Sequence, residues 1–494
     1  MPERIGPLLE RYLGTILEPE QLARLSPQTI AYAAALDTVA ATSPTVADAI
    51  LAELSDQRQN LKLIAGENFT SPAVQLAMGN WLNDKSAEGV PGKRLYAGCE
   101  NVDEIEAYAA ERARRLFGAD HAYLQPHSGL DANLVAFWAV LTERVVPPVL
   151  RDRGVSHLED LGDQDWAELR GQLGNQRLLA MSLESGGHLT HGVRANITGK
   201  LFDVHSYGVD PASGLIDYDE LARLAHLVRP LILLAGHSAY PRSLDFSVLR
   251  RIADEVGASL MVDMAHIAGL VAGGVLHGSA NPVPYADIVT TTTHKTLRGP
   301  RGGMVLCRSE LAAVVDRGCP LVLSAPIPQA LAAKAVALDE ASEPEFGLYA
   351  QNVVTNARTL AATLQAHGAR ILTGGTDNHL VLTDVRGYDL TGRQAEGALR
   401  VARLVSNRNV IPGDTNGRWY TSGVRFGTAA LTTLGMGAPE MVELGDLIHR
   451  VLSATKPVSG SSSRFHLDTS TAELVGDRAL ALLKRFPLYP QVAL

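Results

Sequence analysis

The chain reads as an α/β protein, with a mostly parallel sheet, helices on both faces, and an α+β C-terminal domain. Three observations predict this. At 494 residues the chain is longer than one hydrophobic core usually serves, so two or three domains are expected. In its middle, short apolar and β-branched runs alternate with amphipathic stretches, the pattern of strands joined by helical crossovers. After Pro326 the rhythm changes to long helical stretches followed by isolated strands, which sets a second domain apart. Residues 1–90 are therefore an N-terminal helical arm with loops, 91–345 the large sheet domain, and 346–494 the small domain and tail.

Taken in order, residues up to Asp56 carry apolar positions at helical spacing, interrupted at Ser43-Pro44-Thr45. Residues 60–99 are irregular and polar, and include Glu88-Gly89-Val90-Pro91-Gly92-Lys93-Arg94, the composition of a functional or connecting loop. Strands are predicted at 122–125, 178–183, 231–235, 259–263, 288–293 and 303–307, with helices between them such as 245–256. Residues 142–179, rich in Arg, Asp, Glu and Gln, interrupt the alternation as an inserted surface helix or pair of helices. Helices at 330–340 and 349–367 and a strand at 379–384 follow. Pro457-Val458-Ser459-Gly460-Ser461-Ser462-Ser463 has the composition of a flexible linker, ahead of a last helix at 471–486.

Composition excludes several classes. The 46% hydrophobic and 20% charged residues fit a globular enzyme rather than a disordered chain. A net charge of −9 gives no basic footprint for nucleic acid. No run approaches ~18 uninterrupted apolar residues, and the start lacks a basic and apolar leader, so no membrane association and a cytoplasmic location are expected. Cys99, Cys307 and Cys319 form no C-x-x-C pair, which argues against a disulfide framework or a cysteine zinc site.

The chemistry centres on Val289-Thr290-Thr291-Thr292-Thr293-His294-Lys295, which runs on to Arg301-Gly302-Gly303. Four threonines favour an extended strand, which delivers Lys295 to the strand's end between His294 and Arg301. Ligands of open α/β sheets bind at the carboxyl ends of strands, and a lysine there suits a Schiff base with a pyridoxal aldehyde. Val262-Asp263-Met264-Ala265-His266 places Asp263 and His266 at a neighbouring strand end, where an acid holds a pyridinium nitrogen protonated; the competing role for Asp263 is a helix cap. Gln125-Pro126-His127-Ser128-Gly129 opens an apolar helix, and Ser128 and Gly129 are candidate phosphate donors or an ordinary cap. His188 and His191 lie three apart, but zinc needs a further ligand that the neighbourhood does not offer, so no metal is expected and His188 is read as stacking on an aromatic cofactor. Gly236-His237-Ser238-Ala239-Tyr240 is no nucleophile elbow, since Tyr240 stands where a glycine is required. Arg425, in an apolar strand-like stretch, suits bidentate carboxylate recognition or a surface salt bridge.

Together these stretches, with Gly186–Gly192 and Gly374–His379, resemble serine hydroxymethyltransferases from Asn60 to about Leu452, in the family's order. The 142–179 insertion and the ending Phe486-Pro487-Leu488-Tyr489-Pro490 are similar to a longer, chlamydial-type branch. The resemblance implies the fold-type I architecture of pyridoxal-phosphate enzymes, with a seven-stranded type of sheet. It implies that Lys295 carries the cofactor, Asp263 pairs with the ring nitrogen, His188 stacks on the ring, and His266, Ser238 and Thr292 hold its polar groups. Arg425 then binds the substrate carboxylate, and Glu88 transfers the proton with Tyr96 nearby. His294 and Arg301 complete the catalytic set, and Leu189 and Asn409 touch folate. The implied reaction is retro-aldol cleavage of L-serine to glycine with one-carbon transfer to tetrahydrofolate, in a homodimer or tetramer with shared sites.

Departures from that pattern cluster around the phosphate, the folate and the parts of the site borne by a partner chain: Gly66 for a serine, Ser86 for a tyrosine, Leu130 for a polar residue, Ser324-Ala325 for a glycine pair, and Leu95 for an aromatic. They motivate a second reading, a specialised relative such as an L-threonine aldolase or transaldolase or an α-methylserine-forming enzyme. A third is a non-catalytic binding protein of the same fold.

Overall fold

The computed structural model describes residues 26–493. Its large sheet has seven strands: His121–Tyr123 (β1), Arg177–Met181 (β2), Asp203–Tyr207 (β3), Ile232–Gly236 (β4), Ser259–Asp263 (β5), Ile288–Thr292 (β6) and Gly303–Cys307 (β7). Across the sheet they run β1-β7-β6-β5-β4-β2-β3. The β3, β2, β4, β5 and β6 pairings are parallel, while β7 runs antiparallel to both neighbours. Apart from Arg177, strands β2, β4, β5 and β6 are buried almost throughout, as expected for a sheet covered on both faces. Edge strand β3 was not anticipated, because Asp203-Val204-His205-Ser206-Tyr207 is half polar and exposed along much of its length.

The insertion forms a pair of helices, Val146–Arg153 and Asp163–Gly174, packed through Val146 and Leu169 on Leu141 and Leu231. Gly129–Arg153 is long and apolar enough to cross a membrane by length and composition alone. Its apolar residues, among them Ala132, Val135, Ala136, Ala139 and Val140, are instead buried against the sheet.

Helices Pro328–Ala341 and Pro344–Ala366 lead to a four-stranded antiparallel sheet of Arg370–Ile371 (β8), Leu380–Asp384 (β9), Asn407–Asn409 (β10) and Gly423–Gly427 (β11), in the order β8-β9-β11-β10. Leu61 and Leu63 are fully buried in this second core, and Leu61–Lys62 pairs with Leu404–Val405. Helices Pro27–Thr42 and Pro44–Gln59 flank the break at Ser43, and residues 1–25 of the expected arm lie outside the described residues. The expected linker is corrected. Thr455–Pro457 and Phe465–Leu467 form a hairpin whose serine turn is anchored by Thr391 Oγ1 and by Gln394 Nε2, which donate to Ser462 O and Ser461 O. Serines and glycine there satisfy turn geometry and side-chain donors, not flexibility.

Candidate active site

Strands β2, β4, β5 and β6 all end on one edge, and the residues that follow carry the polar chemistry: His188 beyond Met181, Ser238 beyond Gly236, Asp263 itself, and Lys295 beyond Thr292. This is the carboxyl edge, where α/β sheets bind ligands.

Asp263 is the best-held carboxylate. Its Oδ1 accepts from the Ala265 amide at 3.0 Å, and its Oδ2 from Asn133 Nδ2 at 3.1 Å and from His191 Nε2 at 3.2 Å. Because His191 Nδ1 accepts the His188 amide at 3.3 Å, the ring proton sits on Nε2 and is donated to Asp263. Burial alone would push this carboxyl up; the hydrogen bond from His191, with the charge of Lys295, overcomes it and holds Asp263 well below the usual range. Asn133 is fixed in turn by Thr290 Oγ1, which donates to its Oδ1 at 2.6 Å. Its Nδ2 also donates to Thr190 Oγ1 at 2.8 Å, and that hydroxyl faces His188 Nδ1 at 2.8 Å. The Thr190 amide donates to the same Nδ1. Burial holds His188 down to about 4, so it is a neutral ring at pH 7. With these partners His188 and His191 are committed, and among the described residues no cluster is placed to bind a metal.

Asn133 and His191 were not assigned to the site from sequence. The signal for Asn133 was present, since it stands alone as a polar residue within an otherwise apolar helical run.

Lys295 is half-buried beside this network. Burial lowers its ammonium to about 8, against the opposing pull of Asp263, and the nearby charges of Arg425 and Arg301 add to the lowering. Its carbonyl accepts from Asn68 Nδ2 at 2.9 Å, which fixes the backbone that presents it. A Cβ built on Gly66 would stand 3.7 Å from Lys295 Cε, so a side chain there has room and glycine is not a steric necessity. His294 is buried with its Nδ1 unpartnered, and burial lowers it to about 3.

The β1 end supplies a helix N-terminus. Ser128 caps helix Gly129–Arg144 by accepting the Asp131 amide at 3.2 Å. A Cβ on Gly129 would come within 2.8 Å of Thr292 Cγ2, so glycine is required for the close approach. Thr292 is buried and donates to Ala265 O at 3.3 Å. Beneath the turn, Lys334 donates to Leu124 O at 2.5 Å, and to Pro126 O and Gly303 O at 2.9 Å. Three acceptors use all three ammonium hydrogens, although burial pushes this lysine down to about 7. Sequence reading missed it, yet a lone charge in Ala330-Leu331-Ala332-Ala333-Lys334-Ala335 was the visible signal.

From the small domain, β11 brings in Arg425. It donates to Ser238 O at 2.5 Å and Asn407 Oδ1 at 3.1 Å, and burial lowers it to about 10. These partners exclude the surface salt bridge considered from sequence. Ser238 Oγ donates to Gly187 O at 3.3 Å. His266 stacks on His379 with centroids 5.4 Å apart, and burial lowers both.

The remaining expected residues are not bonded into this cluster, although the charge of Arg301 reaches Lys295. Glu88 is part-exposed, and neither it nor Tyr96 hydrogen-bonds to the Lys295 cluster among the described residues. Leu95 and Tyr96 are 64% and 49% exposed, and Leu189 is 51% exposed, so this rim faces outward in the single chain. Arg301 is exposed, and Asn409 Nδ2 donates to Val410 O at 2.6 Å. Ser86 is exposed and Leu130 half-buried. In the loop where a glycine pair was expected, Ser324 adopts φ +72° and Ala325 O accepts from His127 Nε2 at 2.8 Å, which ties that loop to the Ser128 turn of its own chain.

A sequence model described as serine hydroxymethyltransferase matches residues 39–157 and 172–448; the gap between the two matches takes in most of the second inserted helix, Asp163–Gly174. The chain is 60% identical to a serine hydroxymethyltransferase of Salinispora tropica over 472 residues, covering 94% of this chain and 99% of that protein. It is 57% identical over 464 residues to that of Mycolicibacterium smegmatis, covering 94% and 95%. It is 49% identical over 493 residues to that of Chlamydia trachomatis, covering 99% of each.

Proposed function

The chain belongs to the serine hydroxymethyltransferase family, and we propose on that basis that it is a pyridoxal-phosphate-dependent glycine hydroxymethyltransferase, cleaving L-serine to glycine and passing the carbon unit to tetrahydrofolate. One observation carries the reading: a half-buried lysine with a lowered pKa stands at the sheet edge beside the ionised Asp263, and Arg425 reaches the same edge from the small domain through Ser238 O. Relatives at 49–60% identity all bear this name, which favours it over the aldolase and binding-protein readings.

The residues present fit pyridoxal phosphate. The Ser128–Gly129 helix N-terminus suits its phosphate, the ionised Asp263 its ring nitrogen, and the neutral His188 ring its face. His266, Ser238 and Thr292 stand along the same edge as partners for its remaining polar groups. When bound, the cofactor supplies an aldehyde that captures amines and a ring that draws electrons from the substrate's α-carbon.

Asp263 keeps a proton on the ring nitrogen, because its carboxylate is stabilised in the charged form. With its pKa lowered to about 8, Lys295 has a larger neutral fraction at pH 7 than an ordinary lysine, and it would be the amine that holds the cofactor and gives way to the amino group of serine. Arg425 binds the serine carboxylate and so sets which α-carbon bond faces the ring. Glu88 takes the proton of the β-hydroxyl as the Cα–Cβ bond breaks, the electron pair stays on Cα, and a proton added there gives glycine. Tyr96, His294 and Arg301 border this path. Leu189 and Asn409 mark the folate side, where the exposed Leu95 replaces an aromatic. The outward-facing Leu95–Tyr96 rim suits a homodimer with shared sites.

Serine cleavage by the purified protein tests the reading. Glycine formation should depend strictly on tetrahydrofolate, and threonine should turn over more slowly; equal or better folate-free threonine cleavage would reject it.

Two further outcomes are expected. Capture of pyridoxal phosphate by cofactor-free protein should accelerate with pH and level off above about 8, since only the neutral amine attacks and burial has lowered Lys295 to that value. A midpoint near the ordinary lysine value of about 10.4 would contradict the lowered pKa. Arg425→Lys should raise the KM for serine about 10-fold or more with a smaller effect on kcat, because a lysine cannot reproduce the guanidinium fork. Steady-state kinetics at saturating folate checks this.

A further inference from the structure

Glu88 is partly exposed, yet its own carbonyl and those on either side of it are all hydrogen-bonded. Arg94, with a side chain 4% exposed, sits on the short strand Lys93–Arg94 that pairs antiparallel with Gly89–Val90. Its Nη1 donates to Ala87 O at 2.8 Å and Gly89 O at 2.6 Å, the carbonyls on either side of Glu88. The carbonyl of Glu88 itself accepts the Leu95 amide at 2.9 Å. Three successive carbonyls are thus pinned by one hairpin.

The clamp is itself clamped. Arg94 Nη2 donates to Glu106 at 2.5 Å, and Arg94 Nε to Asp103 at 2.7 Å. The Gly92 amide donates to the other oxygen of Asp103 at 2.8 Å. Gln125, which leads into the Ser128 turn, donates to both Glu106 at 2.7 Å and Gly89 O at 2.8 Å. Gly89 has φ +94°, and a Cβ there would collide with Lys93 O, so the turn admits no other residue without strain. Glu106 is buried, and desolvation raises its carboxyl against the pull of Arg94. A buried ion pair is an expensive way to stabilise a hairpin. Its geometry is spent on the carbonyls that flank one carboxylate.

We propose that Arg94 is a positioning residue: through the Ala87 and Gly89 carbonyls it sets where the Glu88 carboxyl meets the substrate hydroxyl, and Glu106 and Gln125 register that position to the Ser128 turn. This rests on the proton-transfer role of Glu88. Effective proton transfer requires hydrogen-bond contact, and a shift near 1 Å is costly.

The test is a double-mutant cycle on the holoenzyme. Arg94→Lys keeps a cation beside Glu106 and avoids the unpaired charge that Arg94→Ala would leave. Alone, Arg94→Lys should lower kcat about 10–100-fold, leave the serine KM within about 3-fold, and preserve the bound-cofactor absorbance. In a Glu88→Gln background the same substitution should change kcat by less than about 2-fold, because the two act as a unit. Glu106→Gln should follow the same coupled pattern with a smaller loss. Equal fold-losses in both backgrounds, or a loss of cofactor absorbance parallel to kcat, would overturn the proposal and leave Arg94 purely structural. If Glu88→Gln alone turned over like the unaltered protein, the Glu88 assignment would fall and this inference with it.

Discussion

Lys295→Ala should abolish turnover, with kcat falling by at least about 10³-fold while the protein stays folded. The half-buried side chain feels the Asp263 and Arg425 charges, with its ammonium lowered to about 8, so its removal relieves a partly desolvated cation, and Asp263 keeps its bonds from Ala265, Asn133 and His191. Its backbone partner, the Asn68 side chain at 2.9 Å, is untouched. Steady-state serine cleavage measures the loss, and thermal unfolding verifies the fold. Full activity in this variant would mean that another amine does the work.

Glu88→Gln should lower turnover about 10²–10⁴-fold, the range of one general acid–base group, with near-normal cofactor binding. The separation of the two effects follows from position. Glu88 immediately precedes the Gly89–Arg94 hairpin and hydrogen-bonds to none of the Asp263, His188 or Ser128 groups among the described residues. Cofactor titration followed by absorbance should therefore match the unaltered protein, whereas the rate should not. Unchanged turnover would remove Glu88 from the reaction.

The residues legible in the sequence were those delivered by strand ends. A β-branched run predicts a strand, a strand predicts an edge, and Lys295 and Asp263 follow from counting along it. Arg425 was legible for a different reason, as an arginine inside an apolar strand-like stretch, and it lies mid-strand in β11. What sequence did not reveal was held mostly by partners far away in the chain, Asn133 bonded across 130 residues to Asp263 and Lys334 across 208 to Pro126; Arg94 and Glu106 are only 12 residues apart, but no periodicity marks their pairing. Each is a polar side chain whose purpose appears only when its acceptor is known. Strand β3 escaped because an exposed edge strand need not be apolar. The 457–463 turn looked like a linker because serine and glycine serve tight turns and loose chains alike.

Two lysines compete for the central role, the buried Lys334 and the half-buried Lys295, and pKa alone would favour Lys334, since burial lowers it to about 7 and Lys295 only to about 8. Geometry separates them: Lys334 has given its three hydrogens to Leu124, Pro126 and Gly303 carbonyls, whereas Lys295 stands at the sheet edge with Asp263. Borohydride reduction of the cofactor-loaded protein, followed by peptide mapping, should place the reduced pyridoxyl group on the peptide containing Lys295 and nowhere else. A label on the Lys334 peptide, or a loaded protein that takes up no label, would contradict the account.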